Sequence, residues 1–160
     1  MKLKILATPS EFVASRNRNE NGVAKKTRAK GAITGDDILS GVSRALLSAI
    51  FLAAALDKIL HPAATMQYMV ANGMTVLTGL FLMCAIVIEI LGGLSVLLGY
   101  KARLGAMILV VFLIPTTLIF HHNLSDQIQS IMFLKNLAIL GGLLMVIQNG
   151  PGRFIVSLNK

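Results

Sequence analysis

Four long apolar runs constrain this chain more than any other feature of its sequence. The runs extend over residues 38–60, 75–98, 104–120 and 128–147. A stretch of about 20 apolar residues crosses the hydrocarbon core of a bilayer as a single α-helix. The composition agrees with this interpretation, since 55% of the residues are hydrophobic and 14% are charged. The sequence therefore predicts four transmembrane helices.

The predicted fold class is all-α, a four-helix transmembrane bundle. A bilayer offers the backbone no hydrogen-bond partners, so each spanning segment must be internally bonded, and short connections favour antiparallel packing. The connection at 61–74 carries Met66 and Met69 at helical spacing and ends in Asn72 and Gly73, which favour a helix stop. We predict a short interfacial helix between helices 1 and 2. It would either anchor the chain or cover the mouth of the bundle.

The distribution of basic residues divides the chain and predicts its orientation. Residues 1–37 are rich in Gly, Asn, Lys and Arg and are predicted to form a disordered, basic cytoplasmic arm. Residues 38–150 form the predicted membrane domain, and 151–160 a short cytoplasmic tail. Further basic residues lie between the second and third runs and in the tail: Lys101, Arg103, Arg153 and Lys160. The positive-inside bias then places both termini in the cytoplasm.

The net charge of +8 is explained by this topology and by attraction to anionic lipid headgroups. Nucleic acid is therefore not an expected partner, whereas the lipid bilayer is.

A polar band is predicted within the apolar runs. Glu89 lies near the middle of the second run, where an unpaired carboxylate would be costly. Counting helical rise from the cytoplasmic ends places Arg44 and Lys135 at similar depth, with Asn136 beside Lys135. We expect Glu89 to pair with Arg44, with Lys135 or with both. The group is either a structural ion pair or a polar pocket that handles a headgroup or a proton.

A second polar layer is expected near the outer face. Lys58 and His61 follow the first run, and His121 and His122 end the third run after a break expected at Pro115. Adjacent histidines on a helix point in different directions, so no metal site is predicted. These side chains are either solvated at the interface or take part in proton transfer or quinone hydrogen bonding.

Glycine doublets occur in the second and fourth runs, at 92–93 and 141–142. Small residues allow transmembrane helices to approach closely, so these two helices are expected to cross near the doublets. Cys84 is the single cysteine. The chain therefore has no cysteine pair for thiol–disulfide chemistry and no iron–sulfur spacing.

Several short motifs, taken in order, resemble the DoxX family. They are Arg44 early in helix 1, Asp57-Lys58-Ile59, Pro62, Asn72-Gly73-Met74, the stretch 89–93, the stretch 98–103 and the stretch 133–137. The resemblance covers roughly residues 38–150. It implies a small multi-pass protein of the bacterial inner (plasma) membrane. The positions that match the family's polar residues are Arg44, Lys58, Glu89, Arg103, His121 and Lys135.

The resemblance leaves two classes of function open. The family is named for a subunit of an archaeal terminal quinol oxidase, which implies an accessory or membrane-anchor subunit of a quinone-linked redox complex. Quinone would be the ligand, and a partner subunit would supply the electron-transfer centre. The alternative is a non-catalytic assembly or structural factor that docks another membrane protein. Whether the chain is an enzyme, and whether it forms a homo-oligomer, stays open at this point.

Overall fold

The computed structural model describes residues 35–121 and 123–152, and these residues form five helices. They are α1 (Gly35–Leu60), α2 (Pro62–Ala71), α3 (Thr78–Leu98), α4 (Ala102–Phe120) and α5 (Gln127–Asn149). Four of them, α1, α3, α4 and α5, are long and apolar enough to cross a membrane. The predicted four-span helical fold with one extra short helix is confirmed. Most of the predicted arm and tail, together with His122, lie outside the described residues.

Local chemistry sets the helix ends. The first turn of α1 contains Asp36 and Asp37, whose charges favour the helix N-terminus. Pro62 occupies the start of α2, where its missing N–H costs nothing. The side chain of Asp126 caps α5 by accepting a hydrogen bond from the backbone N–H of Gln129 at 2.9 Å. These signals move each end of the spans by at most a few residues from the edges of the apolar runs.

The helix α4 continues through Pro115, so the break expected there does not occur. Proline removes one backbone donor, and two hydroxyl groups next to it bond within the same helix. Thr116 Oγ1 donates to the carbonyl of Phe112 at 2.7 Å, and Thr117 Oγ1 donates to the carbonyl of Leu113 at 2.7 Å. Hydroxyl groups of this kind help a proline-containing helix to persist in a membrane.

The four long helices pack in chain order. The helix α1 packs along α3, α3 along α4 and α4 along α5, while α5 meets α1 through a much smaller contact. The helix α2 rests against α3 and α1. The buried apolar core lies mainly toward the α3–α4 turn and consists of Phe51, Val96, Ala102, Ala106, Leu109, Leu113, Leu143 and Val146. We call this end of the bundle the packed half.

The glycine doublets do not meet each other, so the predicted crossing of the second and fourth spans, which are α3 and α5, is wrong. A Cβ atom built on Gly92 would lie 2.6 Å from Leu109 Cγ in α4, and one on Gly142 would lie 3.2 Å from Leu47 Cδ1 in α1. A Cβ on Gly141 would meet nothing within 4 Å. Small residues do permit close helix approach here, but the sequence alone could not say which helices approach.

Candidate functional site

Glu89 forms an ion pair with Lys58 between α3 and α1. Lys58 Nζ lies 2.9 Å from Oε1 and 3.0 Å from Oε2 of Glu89, and it also donates to the carbonyl of Ala54 at 3.3 Å. Glu89 is only 4% exposed. An ammonium group has three protons, and these three contacts use all of them. The carboxylate therefore has the charged, hydrogen-bonded partner that a buried ion needs.

The direction of helical side chains brings these two residues together. Each Cα–Cβ bond in a helix tilts toward the N-terminus, so Lys58, near the end of α1, points back along the helix. Its flexible stem spans the remaining distance to Glu89, which lies near the middle of α3. Lys58 belongs by sequence to the predicted outer layer, and its ammonium group reaches the predicted middle band.

The predicted middle band is not one site. Glu89 pairs with Lys58, whereas the predicted partners are Arg44 and Lys135. Lys135 is exposed on α5, with its Nζ 3.1 Å from Met132 Sδ. Asn136 is buried and donates to Thr117 Oγ1 in α4 at 3.0 Å. Arg44 and Lys58 are both on α1, so their positions along that helix decide which of them reaches Glu89. Lys135 lies on α5, which packs mainly on α4.

Arg44 is buried in α1, with 3% of its surface exposed. The hydroxyl of Ser48, one turn further on, donates to the Arg44 carbonyl at 2.6 Å. Arg44 lies 14 residues before Lys58 on the same helix, which corresponds to about 21 Å along the axis. Arg44 and the ion pair are thus separate features of the bundle.

A cavity of about 550 Å³ opens next to Lys58, at the end of the bundle opposite the α3–α4 turn. We call this end the cavity half. Its polar lining residues are Asp57, Lys58, His61, Thr65, Thr116 and His121. Its aromatic lining residues are Tyr68, Phe81, Phe112 and Phe120. The volume lies within the range typical of small-molecule sites, and a mostly apolar wall with a few polar groups is also typical of them.

Sequence reasoning missed most of the cavity wall, although a signal was present. Phe81, Ala85 and Glu89 recur every four residues along α3 and therefore share one face of the helix. Phe112 and Thr116 follow the same spacing on α4. This spacing predicts that the ring of Phe81 lies on the same face of α3 as Glu89.

The helix α2 covers one side of the cavity. The ring of Tyr68 stacks on Phe120, with ring centroids 5.5 Å apart, and the Tyr68 hydroxyl donates to the Phe120 carbonyl at 3.4 Å. At the other end, Nδ1 of His61 lies 3.0 Å from Oδ1 of Asp57. The short helix is thus tied to the ends of both α4 and α1. Of the two interpretations of this helix, the geometry favours the cover over the simple anchor.

His121 contributes a second polar group to the same cavity. Its Nδ1 lies 2.8 Å from Oε1 of Gln129. A carboxamide oxygen can only accept, so Nδ1 is the donor when it bonds to Oε1 of Gln129. The structure therefore brings together Lys58, His61 and His121 from the predicted outer layer. Among the described residues, no group of three or more His, Cys, Asp and Glu side chains is placed to hold a metal ion.

The fold and this site define a four-span integral membrane protein with a polar-edged cavity at one end. Residues 40–122 match the DoxX family. Inner membrane protein YqjF of Escherichia coli (strain K12) is 37% identical over 127 residues, which cover 78% of this chain and 95% of that protein. No solved structure matches the chain. The chain belongs to the DoxX family and is an integral inner-membrane protein.

Proposed function

We propose that this chain is an accessory membrane subunit of a quinone-linked redox complex, and that a quinone headgroup binds in the cavity beside Lys58. The observation that carries this proposal is the position of the ion pair at the edge of an aromatic-walled cavity of about 550 Å³. An ion pair that only fixes helix packing needs no such space next to it. Family membership alone does not assign this activity, so the proposal rests on the site.

The chemistry of the wall suits a quinone. A quinone headgroup is a flat ring with two carbonyl oxygens, and it needs apolar or aromatic contacts on its faces and hydrogen bonds at its edge. Phe81, Phe112 and Phe120 supply aromatic surface. Lys58 can donate to a carbonyl oxygen by exchanging its longest contact, the 3.3 Å bond to Ala54. A neutral His121 accepts from the hydroxyl group of a quinol.

Electrons and protons take different routes in this proposal. When a quinol is oxidised to a quinone, two electrons leave to a centre on the partner subunit and two protons are released. The sequence has a single cysteine and no nucleotide-binding glycine motif, so the partner supplies that centre. His121 lines the cavity, where it can receive a proton. We propose that both termini lie in the cytoplasm, because the basic residues Lys101, in the α3–α4 turn, and Arg103, in the first turn of α4, lie opposite the cavity half.

A ligand titration with matched lysine variants tests the proposal. The purified full-length protein in lipid nanodiscs is titrated with decylubiquinone and with menadione, and bound quinone is measured by equilibrium dialysis. We expect saturable binding to the wild type and to Lys135→Met, which loses an exposed lysine that does not line the cavity. Lys58→Met should weaken binding roughly tenfold, the loss of a hydrogen bond from a charged donor.

Equal affinity of the Lys58→Met and Lys135→Met variants would overturn the assignment of the cavity. Absence of binding to the folded wild type would overturn quinone as the ligand. A monodisperse profile in size-exclusion chromatography identifies the variants that are folded and can be compared.

The second candidate function is a non-catalytic assembly or structural factor that docks another membrane protein. The observation that favours it is the complete set of contacts made by Lys58, which is also what a structural ion pair requires. Under this alternative, Glu89→Gln lowers the stability of the bundle and the recovery of a partner. The wild type would then bind neither quinone, which separates the two candidates.

A further inference from the structure

The helix α5 is far less covered than the other spans. In its most apolar window of 18 residues, 6% of the residues are buried, compared with 22% in α1 and 28% in α3 and α4. The helix α1 stands at the opposite end of the packing order α1–α3–α4–α5, yet it is much better covered. An end position alone therefore does not explain the exposure of α5.

One stripe of this exposed surface carries a lysine. Ile128, Ile131, Lys135 and Ala138 follow spacings of three and four residues, so they share one face of α5, and all four are exposed. Leu134, beside this stripe, is 62% exposed. We call these five residues the α5 docking face.

Lys135 lies deep in the span. It is eight residues from Gln127 and 14 from Asn149, which places its Cα about 12 Å and 21 Å from the two ends of α5. Among its contacts within the described residues, the polar one is to Met132 Sδ, and a thioether is a weak acceptor that carries no charge. A lysine at this depth on a lipid-facing surface is costly, and such residues normally pair with an acidic group.

We propose that the α5 docking face binds a transmembrane helix of another protein, and that this helix carries an Asp or Glu at the depth of Lys135. The carboxylate would pair with the ammonium group and replace the weak contact to Met132. The apolar residues on either side of Lys135 would pack along the partner helix, as small and aliphatic residues do in membranes. The positive charge of Lys135 is the reason why the partner helix is expected to carry an acidic residue.

Within residues 35–121 and 123–152, a second copy of this chain does not supply that carboxylate. A two-fold axis along the membrane normal would bring Lys135 of each copy to the same depth, where the like charges repel. Glu89 lies near mid-span, but it is 4% exposed and already paired with Lys58. The other carboxylates of the described residues lie near helix ends, at Asp36, Asp37, Asp57 and Asp126.

This inference rests on the part of the proposed function in which the chain works within a complex, and it is independent of quinone binding. Partner docking and quinone binding can therefore fail separately. Lys135→Met should keep the quinone affinity of the wild type while losing the partner, and Lys58→Met should show the reverse.

Site-specific crosslinking in native membranes tests the docking face. A photo-crosslinking amino acid replaces Leu134 in the full-length protein, expressed in its own host. The control position is Val111, which is 72% exposed on α4. After irradiation, the crosslinked peptides are sequenced by mass spectrometry. We expect Leu134 to crosslink to a transmembrane segment of a different protein that contains Asp or Glu, and Val111 not to do so.

Charge substitutions then decide whether Lys135 acts as proposed. Lys135→Met should reduce the crosslink roughly tenfold or more, and Lys135→Arg should retain it, because a charged pair removed from water is worth at least that factor. Lys135→Glu should abolish the crosslink, and changing the partner's carboxylate to Lys should restore it. A crosslink to lipid alone, to a second copy of this chain or to a segment without a carboxylate would overturn the proposal, as would insensitivity to Lys135→Met.

Discussion

The two ends of this bundle differ in how they use buried space. In the packed half, close approach of helices fills the interior, with Gly92 against Leu109 and with Val96, Ala106 and Leu143 almost completely buried. In the cavity half, α1, α2, α3 and α4 line a space of about 550 Å³ that is edged by Lys58 and His121. The ion pair of Lys58 and Glu89 lies between the two halves.

This difference separates stability from binding along the axis of a small bundle. A close-packed half can hold the helices in place while the other half keeps a cavity that would otherwise be unfavourable. Functional sites depend on such supporting packing for their geometry. Substitutions in the packed half should therefore change folding, and substitutions in the cavity half should change ligand binding more than folding.

The largest effect is expected for Gly92→Leu in the packed half. Since a Cβ atom there would already lie 2.6 Å from Leu109 Cγ, a leucine must force α3 and α4 apart. Overpacking of this severity should cost about 3 kcal/mol or more. We expect little folded protein in size-exclusion chromatography. The matched control is Gly141→Leu, where a Cβ atom meets nothing within 4 Å. Equal loss in both variants would contradict the role of close packing.

A smaller but substantial effect is expected at the ion pair. Glu89→Gln leaves the Lys58 ammonium inside the bundle without its counter-ion. Loss of one partner of a buried pair typically costs 3–5 kcal/mol, and we expect about 2–3 kcal/mol here because the Lys58 side chain is 22% exposed. The measurement is unfolding of the purified protein in mixed micelles with increasing SDS.

The double variant Lys58→Met with Glu89→Leu sharpens this prediction. Replacement of both charges by apolar groups should recover most of the lost stability, since no ion is left uncompensated. We expect the double variant to fold well and to bind quinone roughly tenfold more weakly than the wild type, as Lys58→Met does. A double variant less stable than Glu89→Gln would show that the pair itself is the main stabilising contact.

Local features of this fold could be predicted from the sequence, whereas contacts between helices could not. The spans, the short helix after Pro62 and the need for a partner for Glu89 were all predicted, because hydropathy and helix-end chemistry are local in the sequence. The identity of that partner was not. The partner depends on position along α1, which separates Lys58 from Arg44, and on which helices are neighbours, which separates both from Lys135 on α5. No local pattern encodes which helices are neighbours. The cavity wall is an intermediate case. The spacing of Phe81 and Ala85 on α3 is visible in the sequence, but the wall also needs residues from other helices.

Asn136 illustrates the consequence of this limit, and its substitution should have a moderate effect. It was grouped with Glu89 by depth, but it bonds to Thr117 between α4 and α5. Polar contacts between helices in membranes are worth about 1 kcal/mol. Asn136→Leu should therefore reduce the free energy of unfolding by that amount in SDS titrations and leave the quinone affinity unchanged. A tenfold loss of quinone affinity would instead show that Asn136 contributes to quinone binding.

The smallest effect is expected at the cover of the cavity. Tyr68→Leu removes the stack on Phe120, whose ring centroids lie 5.5 Å apart, and so loosens α2 over the opening. An aromatic pair contributes about 0.5–1.5 kcal/mol, so the rate of quinone dissociation should rise roughly three- to tenfold. Stopped-flow dilution of quinone-loaded nanodiscs measures this rate.

Tyr68→Phe is the matched control, because it keeps the ring and removes only an exposed hydrogen bond of 3.4 Å to the Phe120 carbonyl. A bond this long and exposed contributes little, so the dissociation rate should stay within about twofold of the wild type. If Tyr68→Leu also released quinone at the wild-type rate, α2 would act as an anchor at the interface, and the ligand would enter the cavity half without passing it. The cavity half would then bind its ligand without α2 acting as a cover.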